Sequence, residues 1–325
     1  MSGDAGMMTT ELRVLAYNTF LLHIRLPTRR FGHDVMAAPA YRHRAREIGT
    51  TMAGRYDVVA LMEVFDENEQ AAVLDGWAGR DADHVAGPGP SVLRKSSGLL
   101  TVVDGPTLTR TAHHRFAQRG SPLYDADVLA NKGVLLAEID VDGPAALELY
   151  STHLVAGNDF RRRGEAGSSP NPFRLRQVEE LLAFIRLVHH PSNVALVVGD
   201  LNVDADAASG PAVDEHRAVR AAFRRSGFDD LWELHGSGPG TTFGADPAET
   251  PKRIDYAWLQ RPNADHKIVV TPRAICTCAF QRAAGAPDSD AMPFLSDHLA
   301  LDLRLAVSSP RGSQSSTGAR ARSRH

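Results

Sequence analysis

The clearest chemical signal in the sequence is the pair Asp200 and Asn202, which ends the most apolar run of the chain, residues 193–202. Side chains two residues apart on a strand point to the same side. A carboxylate and a carboxamide placed in this way can together hold a phosphate, a metal-bound water or the metal itself. An ordinary Asx turn is an equally good interpretation of the pair taken alone.

Three other strand-like runs also end in polar side chains, and these are Asn18, Glu63 and His153. Each has an ordinary alternative, namely a turn residue for Asn18, a surface carboxylate for Glu63 and a core histidine for His153. Asp297 and His298 stand at the start of a fifth run, where a histidine among carboxylates is suited to act as a general base. Because independent turns would not place such side chains on five separate strands, the set indicates one catalytic site.

A framework of strands and helices must bring these side chains together, and hydrophobic periodicity predicts both kinds of element. The predicted strands are residues 12–18, 56–63, 99–103, 133–140, 147–154, 193–202, 253–259 and 298–305. The predicted helices are residues 41–56, 173–189 and 214–226. Strands alternate with helices early in the chain and form hairpin-like pairs in its middle. We therefore expect an α/β sandwich with mixed sheets.

Composition limits the classes of function. The chain has 325 residues, 43% of them hydrophobic, and a formal net charge of −3, which gives no global basic field for collecting nucleic acid. Cys276 and Cys278 are too few for a structural zinc site and are expected to lie in a strand. Residues 1–11 lack a secretory signal, and no apolar run is long enough to cross a membrane. We expect a cytoplasmic protein, with secretion as the alternative and the oligomeric state left open.

No change in composition marks an internal domain boundary. We expect a flexible N-terminus over residues 1–10, one catalytic domain over residues 11–306 and a disordered tail rich in Ser and Arg over residues 307–325. Residues 156–172 are rich in Gly, Ser, Asn and Arg, which predicts a mobile loop directly after His153.

The order of these residues resembles the endonuclease/exonuclease/phosphatase superfamily. The resemblance runs from Leu12 to Leu305 and includes Asp255, in the stretch RIDY, as a further site residue. It implies a four-layer α/β sandwich in which two packed mixed sheets are flanked by helices. It also implies that the site lies at one end of the sandwich.

Within that superfamily, several stretches resemble the neutral and bacterial sphingomyelinase (sphingomyelinase C) branch more than the nucleases. Residues 63–66 resemble its NEVFD-type segment, where a nuclease more often has QET. Asn131 and Lys132, which follow residues 115–117, resemble its FAxG…NKG segment. Asp127 stands five residues before this lysine, as an aspartate does in neutral sphingomyelinases.

A third stretch carries both a likeness to this branch and a departure from it. Its THLQA…R-x-x-Q-x-x-E run is matched by residues 152–154 and by the later Arg174, Gln177 and Glu180. The polar residues after the histidine are lost, however, because THLQAED reads THLVAGN here. The aromatic-rich hairpin by which secreted members enter the bilayer would fall at residues 273–294, where Phe and Tyr are scarce. These departures, with the missing signal peptide, disfavour sphingomyelin in a membrane as the substrate. They do not affect the prediction of phosphodiester hydrolysis.

The pattern suggests a metal-dependent mechanism as a hypothesis. Glu63, assisted by Asn18, would hold Mg²⁺, with Mn²⁺ or Co²⁺ as alternatives, because these ligands are hard oxygens. His298, oriented by Asp297 or a neighbouring carboxylate, would take a proton from the attacking water. Asp255 would orient a histidine.

The remaining residues would handle the phosphate. Asp200 and Asn202 would position the phosphate and the attacking water. His153 would hydrogen-bond a phosphate oxygen or protonate the leaving alkoxide. Lys132, with Asn131, would bind the substrate and supply a fixed positive charge.

Four functions are compatible with this pattern. The first is a phospholipase-C-type phosphodiesterase acting on a phospholipid head group, sphingomyelin or a related choline lipid. The second is an endonuclease or exonuclease of the same fold, for which residues 161–163, three arginines, would be the basic cluster. A catalytically silent scaffold would be expected to have lost ligands that this chain keeps. An inositol-phosphate phosphatase would need a further basic cluster.

Overall fold

The computed structural model describes residues 7–26, 33–91, 94–118, 130–156, 171–245, 250–289 and 292–310. Its strands, in chain order, are β1 (Met7–Asn18), β2 (His23–Leu26), β3 (His33–Ala37), β4 (Val58–Met62), β5 (Ala82–Ala86), β6 (Leu100–Asp104), β7 (Thr107–Arg115), β8 (Gly133–Asp140), β9 (Ala146–His153), β10 (Val194–Asp200), β11 (Phe228–Asp230), β12 (Gly236–Ser237), β13 (Asp255–Gln260), β14 (Val269–Cys278) and β15 (Ala300–Pro310). Its α-helices are α1 (Tyr41–Met52), α2 (Glu67–Leu74), α3 (Pro172–Val188), α4 (Pro211–Arg225) and α5 (Leu231–His235).

Two large mixed sheets form the centre of the fold. One has seven strands in the order β12-β14-β15-β1-β4-β6-β5, and the other has six in the order β11-β13-β10-β9-β8-β7. Each contains one parallel pair that matters for the site, β1 with β4 in the first sheet and β9 with β10 in the second. β2 and β3 form a separate two-stranded hairpin.

Alternation along the strands produces four layers. Val14 of β1 and Val198 of β10 belong to the apolar core between the two sheets. Their neighbours face outward, because Leu15 packs in the core formed with α1, and Val197 packs in the core formed with α3 and α4. A side chain on each face of a strand is buried only if both faces are covered. This arrangement confirms the predicted four-layer α/β sandwich.

The two terminal strands are longer than the sequence predicted. Residues 7–10 of β1 pair with residues 307–310 of β15, so both stretches belong to the seven-stranded sheet. Main-chain hydrogen bonds between antiparallel strands do not require apolar side chains. Because Ser308 and Ser309 are polar, hydrophobic periodicity did not predict that β15 extends over them. Residues 1–6 and 311–325 lie outside the described part of the chain.

Other elements also differ from the prediction. α1 ends at Met52 rather than at residue 56, because Gly54 follows with a left-handed φ of +73°. β7 and β14 were not predicted as strands from periodicity, although Cys276 and Cys278 do lie in β14 as expected. Among the described residues, no helix combines the length and the apolar character needed to cross a membrane.

Candidate active site

The predicted site residues meet at one edge of the sandwich. β1 and β4 run parallel and end at this edge in the first sheet. β9 and β10 do the same in the second sheet, where His153 and Asp200 are register partners. β13 runs the other way and begins at Asp255, opposite Asp200, and His298 lies two residues before β15. Strand direction alone therefore brings side chains from both sheets together.

Asp200 lies at the centre of the site and is almost fully buried. Its Oδ2 accepts a hydrogen bond from Nδ2 of Asn18 at 2.9 Å and lies 3.4 Å from Nε2 of His153. Its Oδ1 accepts a hydrogen bond from the backbone N–H of Asn202 at 2.8 Å. The Asn18 amide also donates to Oε1 of Glu63 at 3.3 Å. Asn18 thus joins two carboxylates that come from different sheets.

The backbone is unusual at three positions of the site. Glu63 and Asn202 have left-handed φ values of +66° and +53°. Such a conformation costs a non-glycine residue about 1–2 kcal/mol and is found preferentially at functional sites. Gly199, directly before Asp200, has a φ of +146°, and a Cβ there would lie 1.9 Å from the carbonyl oxygen of Thr152. Only glycine lets β10 approach β9 this closely at the site.

Glu63 is suited to bind a cation. Burial raises its pKa to about 7, although Lys132 acts in the opposite direction. Its Oε2 is buried and has no hydrogen-bond partner among the described residues. A divalent cation would supply both that partner and the positive charge that a buried carboxylate needs. The hard oxygens of Glu63 fit Mg²⁺, as do those of Asp200, whose pKa burial and Asp255 raise to about 6. Asn18 assists through Nδ2, which bonds both carboxylates, while its Oδ1 accepts from the backbone N–H of Phe20 at 3.1 Å.

Asp255 and His298 form a buried pair that crosses between the two sheets. Oδ2 of Asp255 lies 2.8 Å from Nδ1 of His298, and Nε2 of His298 lies 3.9 Å from Oδ2 of Asp200. Burial by itself would lower the pKa of His298, but Asp255, Asp200 and Asp297 together raise it well above its ordinary value. His298 therefore has the geometry of a base that a carboxylate orients, with Nε2 facing the site.

Asp297 does not provide the orienting carboxylate. Its Oδ1 accepts a hydrogen bond from the hydroxyl of Ser296 at 3.2 Å, and its carbonyl oxygen accepts from the backbone of Gly244 and Ala245. The sequence predicts that either Asp297 or a neighbouring carboxylate orients His298. The neighbour is Asp255, because β13 places it beside the imidazole ring. Asp200, Asp255 and His298 also offer three ligand atoms within 4.8 Å of one another.

Lys132 and His153 form a second buried pair. Nζ of Lys132 lies 2.8 Å from Nε2 of His153 and donates to the carbonyl oxygen of Leu154 at 3.1 Å. Burial, together with Lys132, lowers the pKa of His153 well below its ordinary value. His153 is therefore neutral and accepts a hydrogen bond from the lysine. This arrangement disfavours His153 as a proton donor and puts the positive charge on Lys132.

Asn131 has a different environment from the substrate contact that was predicted. Its Nδ2 donates to the carbonyl oxygen of Gly89 at 2.8 Å and to the hydroxyl of Ser91 at 3.3 Å. Its backbone N–H bonds the carbonyl oxygens of Lys95 and Ser96. Asn131 thus fastens residues 89–91 and 95–96 beside Lys132 through its two N–H groups, while its Oδ1 is buried and has no hydrogen-bond partner among the described residues.

Arg44 was missed by the sequence analysis. It is fully buried on α1 and donates to the carbonyl oxygens of Thr19 and Leu295 at 2.8 and 2.7 Å, so it ties the exit of β1 to the chain before His298. Burial lowers its pKa to about 10. The available signal was an arginine on the apolar face of a predicted helix, next to Ala45 and four residues before Ile48.

The polar residues on one face of α3 hold neighbouring backbone segments in place. Arg174 donates to the carbonyl oxygen of Val155 at 2.9 Å, and Gln177 accepts from the N–H of Val155 at 3.0 Å. Glu180 accepts from the N–H groups of Ala117 and Gln118 at 2.7 and 3.1 Å. The chain that follows His153 is thereby fixed to α3. Asp127 and residues 161–163, for which roles are predicted above, lie outside the described residues.

Solved structures share this architecture. Beta toxin from Staphylococcus aureus is 17% identical with a TM-score of 0.65 over 90% of this chain and 99% of that one, and another of its structures contains magnesium ions. Sphingomyelinase C from Streptomyces griseocarneus is 19% identical with a TM-score of 0.60 over 91% and 99% of the chains. D. rerio TDP2 with a single-strand DNA product is 16% identical with a TM-score of 0.59 over 91% and 99%. At these identities the likeness shows the fold.

Sequence comparison gives the family. A candidate neutral sphingomyelinase of Caenorhabditis elegans is 28% identical over 169 residues, which make up 50% of this chain. The match covers 36% of that relative's own length. The sequence model of the Endonuclease/Exonuclease/phosphatase family matches residues 38–298. The chain therefore belongs to the endonuclease/exonuclease/phosphatase family.

Proposed function

We propose that the chain is a magnesium-dependent phosphodiesterase of the sphingomyelinase type, which hydrolyses a phospholipid head-group ester by attack of water. One observation carries this proposal. The unpartnered oxygen of Glu63 and the Asp255–His298 pair both belong to the surroundings of Oδ2 of Asp200, the first through Asn18 and the second through Nε2 of His298. A cation ligand and an oriented base beside one carboxylate suit hydrolysis of a phosphate ester.

Each residue of the proposed site has a separate role. In the neutral imidazole, Nδ1–H of His298 donates to Asp255, so Nε2 is the atom that takes the proton of the attacking water. General-base assistance of this kind is typically worth about 10² to 10⁴ in rate. Asp200 and Asn202 orient the water and the phosphate. Mg²⁺ held by Glu63, assisted by Asn18, would neutralise the negative charge that develops on the phosphate oxygens.

Lys132 is the second source of positive charge in the proposed site. It is almost fully buried, and His153 accepts its hydrogen bond, so the ammonium group is held in one place. A fixed charge of this kind contributes more in a dry site than in water. Asn131 supports Lys132 from the neighbouring position by fastening residues 89–91, and we assign it a positioning role.

The substrate class is supported by the relatives rather than by a pocket that matches a known head group. The Caenorhabditis elegans relative and the Streptomyces griseocarneus enzyme both have names that refer to sphingomyelin. Val155, which replaces a polar residue of the sphingomyelinase motif, is fully buried here. The described residues between β14 and β15 expose no large hydrophobic side chain. A substrate in micelles therefore suits this site better than one embedded in a bilayer.

The catalytic proposal is tested by removing the base and the cation separately. His298→Ala should lower hydrolysis of bis(4-nitrophenyl) phosphate by about 10² or more, and a chelator should abolish the activity. The matched control is His113→Ala, which changes an exposed histidine on β7 and should leave the rate unchanged. Thermal unfolding shows that the variants are folded. Full activity of the His298 variant, or of the chelated protein, would reject this mechanism.

A nuclease is the second candidate, because D. rerio TDP2 shares the fold and was solved with single-strand DNA. The net charge of −3 speaks against it. Release of phosphocholine from sphingomyelin micelles and nicking of supercoiled plasmid should be compared under the same Mg²⁺ concentration. His298→Ala serves as the blank in both assays. Nicking without phosphocholine release would replace the lipid substrate by DNA.

A further inference from the structure

The two members of the Asp255–His298 pair come from different sheets. Asp255 is the first residue of β13 in the six-stranded sheet, and His298 precedes β15 in the seven-stranded sheet. Between the sheets lies an apolar core, which sets their spacing through side-chain packing. Packing alone leaves room for small shifts of one sheet against the other, so a hydrogen bond of 2.8 Å across this gap needs further support.

A short segment connects the two sheets beside this pair. Phe243 forms isolated antiparallel bridges with Lys252, which leads into β13, and with His298, which leads into β15. The ring of Phe243 also lies edge-on to the imidazole of His298, with 5.2 Å between ring centroids. Backbone N–H groups of Gly244 and Ala245 bond the carbonyl oxygen of Asp297.

Thr242, directly before Phe243, forms hydrogen bonds both to the backbone at the start of β13 and to the backbone just before β15. Its Oγ1 accepts hydrogen bonds from the backbone N–H groups of Ile254 and Asp255, each at 3.0 Å. Its carbonyl oxygen accepts from the N–H of Leu299, the residue after His298, at 2.7 Å. The residue is fully buried, so water does not compete for these bonds. A side chain without an oxygen would leave two buried N–H groups without their acceptor.

We propose that Thr242 is the positioning residue of the Asp255–His298 pair, because its hydroxyl fixes the backbone that carries Asp255 while its carbonyl fixes the backbone beside His298. The inference rests on the proposed function of this pair as carboxylate and base. Thr242 touches neither the reacting water nor the phosphate. It acts by holding the two strands at the separation that the hydrogen bond requires, and displacement of a catalytic group by about 1 Å can lower a rate about 10²-fold.

The test compares two replacements of similar size. Thr242→Val removes the hydroxyl and keeps the shape, and kcat should fall about 10- to 100-fold while KM changes less than about twofold. Thr242→Ser keeps the hydroxyl, and kcat should return to within about threefold of the parent value. Thr101→Val is the matched control, because it removes another buried hydroxyl that lies away from the pair, and kcat should be unchanged.

A second measurement does not depend on turnover. The proton between His298 and Asp255 should give a downfield ¹H resonance that His298→Ala removes. Thr242→Val should weaken or shift this resonance, and Thr242→Ser should keep it.

If the parent protein hydrolyses no phosphodiester, the proposed function fails while this resonance still tests the positioning role. Should Thr242→Val not fold, Thr242→Ala carries the same expectations. An unchanged resonance and kcat in the hydroxyl-free variant, or equal losses in the serine variant, would overturn the proposal.

Discussion

At the scale of single residues, Glu63 carries a combination of properties that stability alone does not explain. It holds a left-handed backbone, buries an oxygen without a partner and has a pKa raised to about 7 by burial. Each feature is unfavourable in the absence of a cation. A group with a raised folded-state pKa binds more protons in the folded protein than in the unfolded chain between its ordinary value of 4.5 and about 7. The stability that Glu63 contributes therefore decreases as the pH rises through that window.

Magnesium affinity should consequently depend on pH. Below about pH 7 the cation must displace a proton from Glu63, so its affinity should fall about tenfold per pH unit, and above that value the affinity should level off. Calorimetric titration with Mg²⁺ at several pH values measures this. Glu63→Gln should remove both the binding and its pH dependence, whereas Glu67→Gln, an exposed neighbour, should change neither. A pH-independent affinity in the parent protein would contradict the assignment.

At the scale of elements, α3 stabilises the chain that leaves the site. Arg174, Gln177 and Glu180 follow one another at intervals of three, so they share a face of the helix. Arg174 is fully buried and bonds the carbonyl oxygen of Val155 as well as Oε2 of Glu215 on α4, the latter at 2.8 Å. Two helices and the chain that follows His153 are joined through this one guanidinium group.

Replacing Arg174 should therefore affect both stability and activity. Arg174→Met leaves the buried carboxylate of Glu215 without its cationic partner, which typically costs about 3–5 kcal/mol. Urea unfolding measures the loss, and the rate with a chromogenic phosphodiester should fall as His153 loses support. Arg176→Met, two residues away on the exposed face of α3, is the control and should leave both quantities within error of the parent. Equal stability of the two variants would mean that the buried network contributes nothing.

At the scale of the whole molecule, the site depends on the two ends of the described chain meeting in one sheet. β15 pairs with β14 on one side and with β1 on the other, and β1 delivers Asn18 to the site. The inner faces of β15 bury Leu301, Leu303 and Leu305 in the core between the sheets. The last described strand therefore supports the first described one.

A protein that ends after Leu299 should not fold. Burial of each leucine contributes about 1.5–3 kcal/mol, and the loss of several such residues together with the main-chain bonds of β15 exceeds a typical stability of about 5–15 kcal/mol. The matched protein that ends after Pro310 keeps every described contact of β15. Circular dichroism during heating should show a cooperative transition in the longer protein only. A cooperative transition in both would show that β15 is dispensable.

The fold class and most of the residues that gather at the site could be predicted from the sequence. This was possible because strand ends are local features, since an apolar run and the polar residue that follows it are adjacent in the chain. Asn18, Glu63, His153 and Asp200 could all be found in this way, and His298 could be found because it starts an apolar run. Family resemblance added Asp255 and Lys132. Strand direction then places such ends at a common edge.

The packing of the two sheets determines which of these side chains bond to one another. It selected Asp255 over Asp297 as the partner of His298, turned Asn131 toward Gly89 and paired Lys132 with His153. It also brought Thr242 between the two sheets. These contacts join residues between 13 and 57 positions apart in the chain. Periodicity specifies which face of a strand a side chain occupies, whereas the distance between two such faces depends on how the sheets pack.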